Sequence, residues 1–457
     1  MQKPFDAQPK AGVTLKEIIL YNMAGFSFNV YDTILYAWLP YFYAPPQDSG
    51  LTQYVPLAAI GIILAGGRIL DAATDILIGY LSDRTRSRWG RRKPYIFIST
   101  PILFLAFIFV WLPPVSGNSP ANVISLAVAL FFYYWGYTGV LIPWFAVLPE
   151  MSDQNHERVK IASIGVAIGV IGALVGGGLS GPLFQSLGAF PMALILGGAA
   201  FMAGELTLFG IKERFPMSSE AQSMSLFKVV KEVFADRQVL SFALMVMFVQ
   251  LTYQLMLMNV PYTTTLILGR KEADASLLMG EVIILMAAST PMWYWLLKKF
   301  PKRKVFRGII LAMIIGFILN FFIGSSMALS PMIQALVIFP VAAIPMGGMF
   351  VAVLGIIADL TDYDQLKSGQ RREAIYYGIY GIVRKTGWAL CSLILAGVFS
   401  AFGYSADNPF GVRVIWLVCA LSCLVGLLFF TPYKLGDTKE ETKKIMGQQD
   451  RFGGSLK

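Results

Sequence analysis

Charged side chains are scarce in this 457-residue sequence: 14% of the residues are charged, whereas 56% are hydrophobic, and the mean hydropathy is +0.63. A soluble protein of this length could not cover its surface with so few charges. A helix in lipid satisfies its own backbone hydrogen bonds, so this composition favours long apolar helices joined by short polar loops. We therefore expect an all-α membrane protein.

Residues that serve catalysis, zinc binding or disulfide formation are also few. The single histidine, His156, lies in a polar segment, and the three cysteines lie in apolar stretches, which argues against a disulfide framework or a zinc site. The phosphate-binding pattern GxxxxGK[ST] is absent, which argues against an ATP-driven pump. The run GGGLSG at 176–181 indicates close helix packing. We expect neither enzymatic activity nor a cofactor.

Twelve apolar stretches are each long enough to cross a membrane when the sequence is read with a window of about 20 residues. The polar stretch Ile211–Gln238 separates the first six from the last six. The segment before the first stretch has no apolar core, so we expect a cytosolic tail and not a signal peptide. The predicted spans are 17–43, 54–81, 94–113, 121–148, 159–184, 190–211, 239–268, 275–297, 306–325, 331–358, 374–402 and 411–431. The predicted domains are a first half 1–211, a linker 212–238, a second half 239–432 and a tail 433–457.

Basic residues are concentrated in the loops that follow even-numbered spans, above all in 82–93 and 298–307. The opposite loops, such as APPQDSGLTQ and PPVSGNSPA, contain almost none. The positive-inside rule therefore places both termini and the linker in the cytoplasm. We expect a multi-pass protein of a bacterial inner membrane whose basic excess reflects topology and contact with the bilayer, not binding of nucleic acid.

The two basic loops occupy equivalent places in the two halves, after span two and after span eight. Two six-helix halves with matching loops are typical of the major facilitator fold, in which the substrate site lies between the halves near the membrane midplane. The sequence therefore predicts a secondary transporter with this fold, active as a monomer.

Three charged residues in span two lie on one helical face: Arg68, Asp71 and Asp75 are spaced i, i+3 and i+7. Ionised groups at mid-membrane cost at least a few kcal/mol and usually face a cavity or a partner. Two carboxylates one turn apart repel unless a cation, a shared proton or a basic group relieves them. Thr74 and Thr138 could add neutral oxygen ligands for a cation. In the alternative interpretation, Arg68 neutralises one aspartate and the set only holds helices together.

Lys385 is the other charged residue expected near mid-membrane, and Arg384 precedes it. Successive helical residues point about 100° apart, so we expect only one of the two to face the cavity. Lys385 is predicted to hold a span-two carboxylate when no cation is bound, or to contact an anionic substrate. A fixed ion pair is the alternative.

Aromatic and amide side chains near the midplane are candidates for contact with the substrate, since rings can stack on a sugar and amides can bind its hydroxyls. Each of them could equally be a packing residue. The candidates are Trp144, Phe145, Gln250, Tyr253, Gln254, Phe350, Tyr380 and Trp388.

The motif GYLSDRTRSRWGRRK at the end of span two predicts a cytoplasmic gate formed by Asp83, Arg84 and Arg91. Ion pairs at such a position form in one access state and break in the other. In the alternative interpretation, the arginines only set topology. The predicted partners in the second half are Asp359, Asp362, Asp364 and Glu373.

Two blocks carry a resemblance to a known family: GRILDAATDILIGYLSDRTRSRWGRRKPYIFIS at Gly67–Ser99 and ADLTDYDQLKSGQRREAIYYGIYGIVRKTGWA at Ala358–Ala389. Both resemble the glycoside–pentoside–hexuronide:cation symporters, the family of melibiose permease. The resemblance implies symport of a sugar, glycoside or related small solute with a monovalent cation, sodium or proton. It also implies a cation site at Asp71, Asp75 and Thr138, which would be the sodium ligands in a sodium-coupled carrier, and a matching lysine at Lys385. Proton-coupled sucrose carriers and sodium-coupled lysolipid carriers share parts of the pattern and are alternatives.

The substrate positions depart from the melibiose carriers. Their span-one aspartate matches Asn29, their span-four aspartate matches Leu141, and their span-five arginine matches Val166. Asp32 lies one turn after Asn29 and could replace the first of them, while Tyr36 and Tyr137 match aromatic positions of the family. We therefore expect Asn29, Asp32, Tyr36, Arg68, Tyr137, Trp144, Tyr380 and Lys385 to contact a substrate that is more charged or more apolar than a plain galactoside.

A channel or a receptor-like helical protein without coupled transport is the alternative from a different class. A channel would show a filter-like repeat, and the sequence contains none.

Overall fold

Twelve long α-helices make up the computed structural model over the residues it describes, which are 12–47, 49–152, 154–214, 235–325, 328–369, 373–436 and 440–445. A π-helical turn, Thr263–Ile267, continues the helix Arg237–Tyr262. The all-α prediction is confirmed. The helices are α1 Leu15–Tyr43, α2 Leu57–Arg84, α3 Lys93–Val110, α4 Pro120–Met151, α5 Asn155–Leu187, α6 Ala189–Gly210, α7 Arg237–Tyr262, α8 Glu272–Lys299, α9 Lys302–Phe321, α10 Pro331–Ser368, α11 Glu373–Phe402 and α12 Phe410–Phe430.

Eleven helices in the described part of the chain are long and apolar enough to cross a membrane, and α1 is the remaining long helix. Its lower hydropathy has a clear cause, because α1 carries Asn22, Asn29 and Asp32 together with several tyrosines. Most of its residues are buried by neighbouring helices. Helix α1 therefore belongs to the interior of the bundle, where polar side chains find protein partners.

Local sequence signals repeat at matching places in the chain. Helix α4 begins with Ser119 and Pro120, and α10 begins with Ser330 and Pro331. In both, the serine hydroxyl accepts a backbone N–H of the first turn, and proline fits the first turn because no intrahelical donor is needed there. The two helices thus have the same N-cap arrangement.

The packing of the helices also repeats between α1–α6, here called the first half, and α7–α12, the second half. Within the first half α1 packs on α5 and α6, α4 on α2 and α3, and α3 on α6. The second half repeats these contacts: α7 packs on α11 and α12, α10 on α8 and α9, and α9 on α12. Contacts between the halves are symmetric too, since α2 packs on α11, its counterpart α8 packs on α5, and α1 packs on its own counterpart α7. The arrangement therefore has a pseudo-twofold relation between two six-helix bundles.

The largest difference from the predicted spans is in α10, which was expected to end at 358 but continues to Ser368. A hydropathy window detects the length inside lipid, whereas the helix ends where Gly369 adopts φ of +72°. The extra turns carry Asp359, Asp362 and Asp364, so these acids lie on a helix and not in a loop. The predicted linker falls mostly on residues 215–234, outside the described part, and the domain division stays a prediction.

The two ends of the bundle differ in how the halves meet. The basic end carries segments 85–92 and 298–307, and the far end carries segments 44–56 and 403–410. At the far end, Tyr262 donates a 2.7 Å hydrogen bond to the Ala44 carbonyl, and the Gly181 N–H donates to the Ser276 hydroxyl at 2.7 Å. Both bonds join the first half to the second. The halves are therefore closed against each other at the far end.

Ion pairs described at the basic end, in contrast, each join helices of one half. Glu150 pairs with Arg91 in the first half, and Asp359 pairs with Lys302 in the second. In a protein whose halves move against each other, a closed far end and separate ion pairs at the basic end would correspond to an opening toward the basic end.

Candidate functional site

Three charged side chains of α2 point into the region between the halves. Arg68 and Asp71 are buried, with side-chain exposures of 2% and 0%, whereas 25% of the Asp75 side chain is exposed. They lie on one face of α2, as the spacing predicts. Since α2 packs against α4 of its own half and α11 of the other, this face meets both.

The carboxylates of Asp71 and Asp75 are held between two partners. The Thr138 hydroxyl of α4 lies 2.7 Å from Oδ1 of Asp71 and 3.2 Å from Oδ1 of Asp75. On the other side, Nζ of Lys385 lies 3.0 Å from Oδ2 of Asp71 and 2.6 Å from Oδ2 of Asp75. The lysine ammonium thus bridges the two aspartates, one oxygen from each. Thr74 completes this group, since its hydroxyl lies 3.2 Å from that of Thr138.

Arg68 joins this group to an aromatic cage. Its Nη1 donates to Oδ2 of Asp71 at 2.9 Å. Its guanidinium lies over three rings, 5.0 Å from the centroids of Tyr36 and Tyr134 and 4.8 Å from that of Trp388. Cations are attracted to ring faces, and desolvation strengthens the attraction. Tyr134 and Trp388 were not predicted as ligands of Arg68, because sequence spacing does not show which helices face each other.

Asp32 of α1 is the third carboxylate of the site. It accepts a 2.7 Å hydrogen bond from the Tyr137 hydroxyl and a 3.4 Å bond from that of Tyr133, and Nη2 of Arg68 lies 3.9 Å away. Two of the predicted substrate residues, Asp32 and Tyr137, are therefore paired with each other. Asp32 retains 22% side-chain exposure, so it still reaches the space between the halves.

The expectation that only one of Arg384 and Lys385 faces the cavity is wrong. Lys385 reaches α2, while the Arg384 guanidinium lies 5.7 Å from the Tyr380 ring centroid and 4.7 Å from that of Trp388, the ring that Arg68 also approaches. Long flexible side chains remove the constraint, because two residues 100° apart on a helix can both bend toward the same space.

Two other predicted substrate residues are engaged in helix packing. The Asn29 amide donates to the carbonyl of Gly25, one turn earlier, at 2.8 Å. The Trp144 indole N–H donates to the Tyr21 carbonyl, and the Tyr21 hydroxyl donates to the Trp144 carbonyl, both at 2.9 Å. These bonds tie α1 to itself and to α4. Tyr380 differs, since its hydroxyl accepts a 3.0 Å bond from Gln250 of α7 beside Arg384.

The predicted gate residues at the basic end form a network inside the first half. Asp83 pairs with Nη2 of Arg92 at 2.5 Å, and Glu150 accepts from Nη2 of Arg91 at 2.9 Å and lies 3.4 Å from Nη2 of Arg92. Arg84 stands apart, with its guanidinium 4.0 Å from the ring centroid of Tyr80. The sequence did not single out Arg92 or Glu150, although the charge of Glu150 at the end of an apolar helix was a usable signal.

Of the predicted second-half partners of this gate, Asp359, Asp362 and Asp364 lie on α10. Asp359 pairs with Lys302 of its own half at 2.6 Å, and the side chain of Glu373 lies outside the described residues. Asp83 and Arg91 contact Arg92 and Glu150 of the first half, and a gate contact with the second half stays a prediction.

Among the described residues, no group of three or more His, Cys, Asp or Glu side chains is placed to hold a metal ion. The group at Asp71 and Asp75 has two carboxylates and a hydroxyl, and an ammonium lies between its oxygens.

Comparison with known proteins shows the family and the fold of the chain. Residues 20–437 match the model of a family described as MFS/sugar transport protein. The lactose permease of Lactobacillus helveticus is 23% identical, over 95% of this chain and 73% of that protein. The sodium-dependent lysophosphatidylcholine symporter 1 of Gallus gallus is 24% identical, over 84% of this chain and 81% of that protein.

A crystal structure of a D-xylose-proton symporter superposes with a TM-score of 0.67 at 16% identity, covering 94% of this chain and 99% of the other. At this identity the likeness establishes the fold, which is the predicted major facilitator fold. The chain is thus a multi-pass integral membrane protein and a transporter, not an enzyme. It belongs to the MFS/sugar transport protein family.

Proposed function

We propose that this protein is a cation-coupled symporter of a sugar, a glycoside or a related small solute, and that the coupling cation binds between Asp71, Asp75 and Thr138. The observation that carries the proposal is the position of Lys385, whose ammonium contacts both carboxylates at 2.6 and 3.0 Å. An ammonium is itself a monovalent cation. The same oxygens that hold it can hold sodium, and either carboxylate can take up a proton.

Competition between Lys385 and the coupling ion supplies a mechanism. When the ion binds, it replaces the ammonium between the carboxylates, and Lys385 is released toward the space between the halves. Because Lys385 belongs to the second half and the aspartates to the first, this exchange removes an ionic link between halves. Binding of ion and substrate are then coupled through the same residues, and the coupling is reciprocal.

The orientation of the carrier follows from the basic residues. The basic end faces the cytoplasm under the positive-inside rule, which places both termini there and the far end outside. The state described above is then inward-open. Cysteine labelling with an impermeant reagent should modify Ser116→Cys from outside and spare Asp83→Cys and Arg91→Cys; the reverse pattern would invert the orientation. A bacterial inner membrane and function as a monomer remain parts of this proposal.

A lysolipid-type carrier is the second candidate. The Gallus gallus symporter named above is as similar to this chain as the sugar carriers are. The polar side chains by which melibiose carriers hold a galactoside are also replaced by Leu141 and Val166. Both candidates use the same cation site, so they differ in the solute and not in the coupling.

The test is uptake against a gradient in proteoliposomes, driven in separate arms by sodium and by a pH difference. Asp71→Asn and Asp75→Asn should abolish accumulation, because the amide keeps the shape but lacks the charge that holds the cation. Exchange of substrate at equal concentrations should persist. Glu205→Gln is the matched control, and it should accumulate substrate normally. Glu205 is an acid of α6, which packs on α1, α3 and α5, whereas the proposed cation site lies on α2 and α4.

A stable Asp75→Asn protein that still accumulates substrate would overturn the cation site. Counterflow separates the carrier from a channel, because only a carrier exchanges labelled for unlabelled substrate. Absence of counterflow with every sugar, glycoside and lysolipid tried would contradict the symporter proposal itself.

A further inference from the structure

Arg384 is the cation of the site that lacks a carboxylate partner within the described residues. Arg68 and Lys385 both form ion pairs, whereas the Arg384 guanidinium lies on the rings of Trp388 and Tyr380 and its Nε has no hydrogen-bond partner in the described part of the chain. A buried N–H without an acceptor loses free energy relative to water. The group is thus placed for a ligand that brings an acceptor.

Hydrogen-bond donors dominate the unpartnered atoms around Arg384. Gln250 donates to the hydroxyl of Tyr380, whose ring lies beside the Arg384 guanidinium. The buried atoms of this cluster that lack a hydrogen-bond partner among the described residues are four donors, Nε and Nη2 of Arg68, Nε of Arg384 and Nε1 of Trp388, and one acceptor, Oε1 of Gln250. A neutral sugar hydroxyl both donates and accepts, whereas an anion only accepts. The excess of donors therefore favours an anion.

The charge balance of the site leads to the same class of ligand. Its three carboxylates, Asp32, Asp71 and Asp75, equal in number its three bases, Arg68, Arg384 and Lys385. A monovalent coupling cation adds one positive charge to this neutral set, in a place where uncompensated charge is costly. One negative charge on the substrate restores neutrality.

Repulsion between the two arginines adds a third argument. The guanidinium groups of Arg68 and Arg384 both lie over the ring of Trp388, at 4.8 and 4.7 Å from its centroid. Two like charges held near one ring repel each other. An anion that accepts hydrogen bonds from both relieves the repulsion, and guanidinium groups suit carboxylate, sulfonate and phosphate oxygens.

We propose that the substrate carries a single negative charge, as a carboxylate, sulfonate or phosphate, and that Arg384 and Arg68 bind it beside Trp388. This inference rests on the proposed function and specifies its substrate class. The anion can belong to a soluble glycoside or to the headgroup of a lysolipid. Cation binding and anion binding then strengthen each other, because each supplies the charge that the other leaves uncompensated.

The experiment is thermal unfolding of the purified protein with two matched pairs of probes, with and without the coupling cation. The soluble pair is methyl β-glucoside and methyl β-glucuronide, and the lipid pair is lysophosphatidylcholine and lysophosphatidylglycerol. In at least one pair, the anionic probe should stabilise the protein at a concentration about tenfold or more lower than the concentration that the other probe of the pair needs. The pair that shows this preference identifies the source of the anion.

Variants of Arg384 assign the preference to this residue. Arg384→Gln should lose the preference for the anion, and Arg384→Lys should keep part of it, because a point charge replaces the planar donor. The coupling cation should still stabilise Arg384→Gln, which shows that the variant is folded and that Asp71 and Asp75 are intact. Trp388→Phe removes one donor but keeps a ring, so it should weaken anion binding less than Arg384→Gln.

The outcomes separate this inference from the function on which it rests. If neither sodium nor protons stabilise the wild-type protein, the proposed cation site fails. If the cation stabilises it but no anionic probe exceeds its partner, or if no probe acts at all, the anion inference is overturned while the cation site stands. Unchanged anion preference in Arg384→Gln would also overturn it.

Discussion

The ionic cluster at mid-membrane and the ionic networks at the basic end are built from the same residue types but are connected differently. At mid-membrane, Lys385 of the second half holds Asp71 and Asp75 of the first. At the basic end, Arg91 and Glu150 pair inside the first half, as Lys302 and Asp359 pair inside the second. Links inside a half keep that half rigid, whereas a link between halves can make or break as they move.

The repetition of the basic-end pairs strengthens this distinction. In each half a basic residue that follows the second helix pairs with an acid in the basic-end part of the fourth helix, Arg91 with Glu150 in α4 and Lys302 with Asp359 in α10. The mid-membrane cluster has no such repeat, because its acids come from α1 and α2 and its basic partner Lys385 from α11. A symmetric scaffold thus carries an asymmetric site. Under the proposed function, this arrangement would let one half bind the cation and the other half respond.

Arg68→Ala should have the greatest effect on stability, because it removes one of the two cations that neutralise the fully buried carboxylate of Asp71. Breaking a buried ion pair costs about 3–5 kcal/mol, so folded yield should fall sharply. Lys302→Ala is the control at the basic end, where its more accessible pair should contribute no more than about 1 kcal/mol. The measurement is the melting temperature and the folded fraction by size-exclusion chromatography. An equal fall in melting temperature and folded fraction in Arg68→Ala and Lys302→Ala would contradict the distinction between the mid-membrane cluster and the basic-end pairs.

Glu150→Gln should lower stability less than Arg68→Ala. The Glu150 side chain is 2% exposed and lies near Arg91 and Arg92, at 2.9 and 3.4 Å. Loss of its charge weakens both contacts by about 1–3 kcal/mol in total. We expect a lower melting temperature with an unchanged cation requirement, measured as the cation concentration for half-maximal uptake. A shifted requirement would mean that the basic-end network takes part in coupling and is not only scaffold.

Tyr262→Phe should have the smallest effect on stability but a visible effect on access. It removes the 2.7 Å hydrogen bond from Tyr262 to Ala44, which closes the far end and contributes about 0.5–1.5 kcal/mol. Labelling of Thr33→Cys from the far side should rise several-fold, since Thr33 is 4% exposed near the contact of α5 with α8. Unchanged labelling would show that this bond does not hold the far end closed.

Much of the fold could be predicted from the sequence, because hydropathy indicates which segments can lie in lipid and the basic loops indicate how these segments alternate across the membrane. The face formed by Arg68, Asp71 and Asp75 could also be predicted, since it depends on the period of one helix. The meeting of Lys385 with that face was inferred from the resemblance to a family, and the structure places these side chains together.

Contacts between helices were the part that sequence could not supply. Whether Trp144 faces a cavity or Tyr21 depends on the rotation of α4 against α1, and no local pattern encodes that rotation. For the same reason, the sequence did not predict that Tyr134 and Trp388 contact Arg68 or that Arg92 contacts Asp83. The paired approach of Arg384 and Lys385 was missed for a different reason, since helical period fixes Cβ directions but not the ends of long side chains.

The most direct measurement is the melting temperature of Lys385→Met as a function of sodium concentration and of pH. Without its ammonium, Asp75 loses its ion pair and Asp71 keeps only the pair with Arg68. The variant should therefore be less stable than wild type when sodium and protons are low. Because the competitor is gone, the coupling cation should restore stability at a lower concentration than wild type needs. If the cation response of Lys385→Met matches that of the wild-type protein, Lys385 does not occupy the cation's place and the proposed coupling mechanism is wrong.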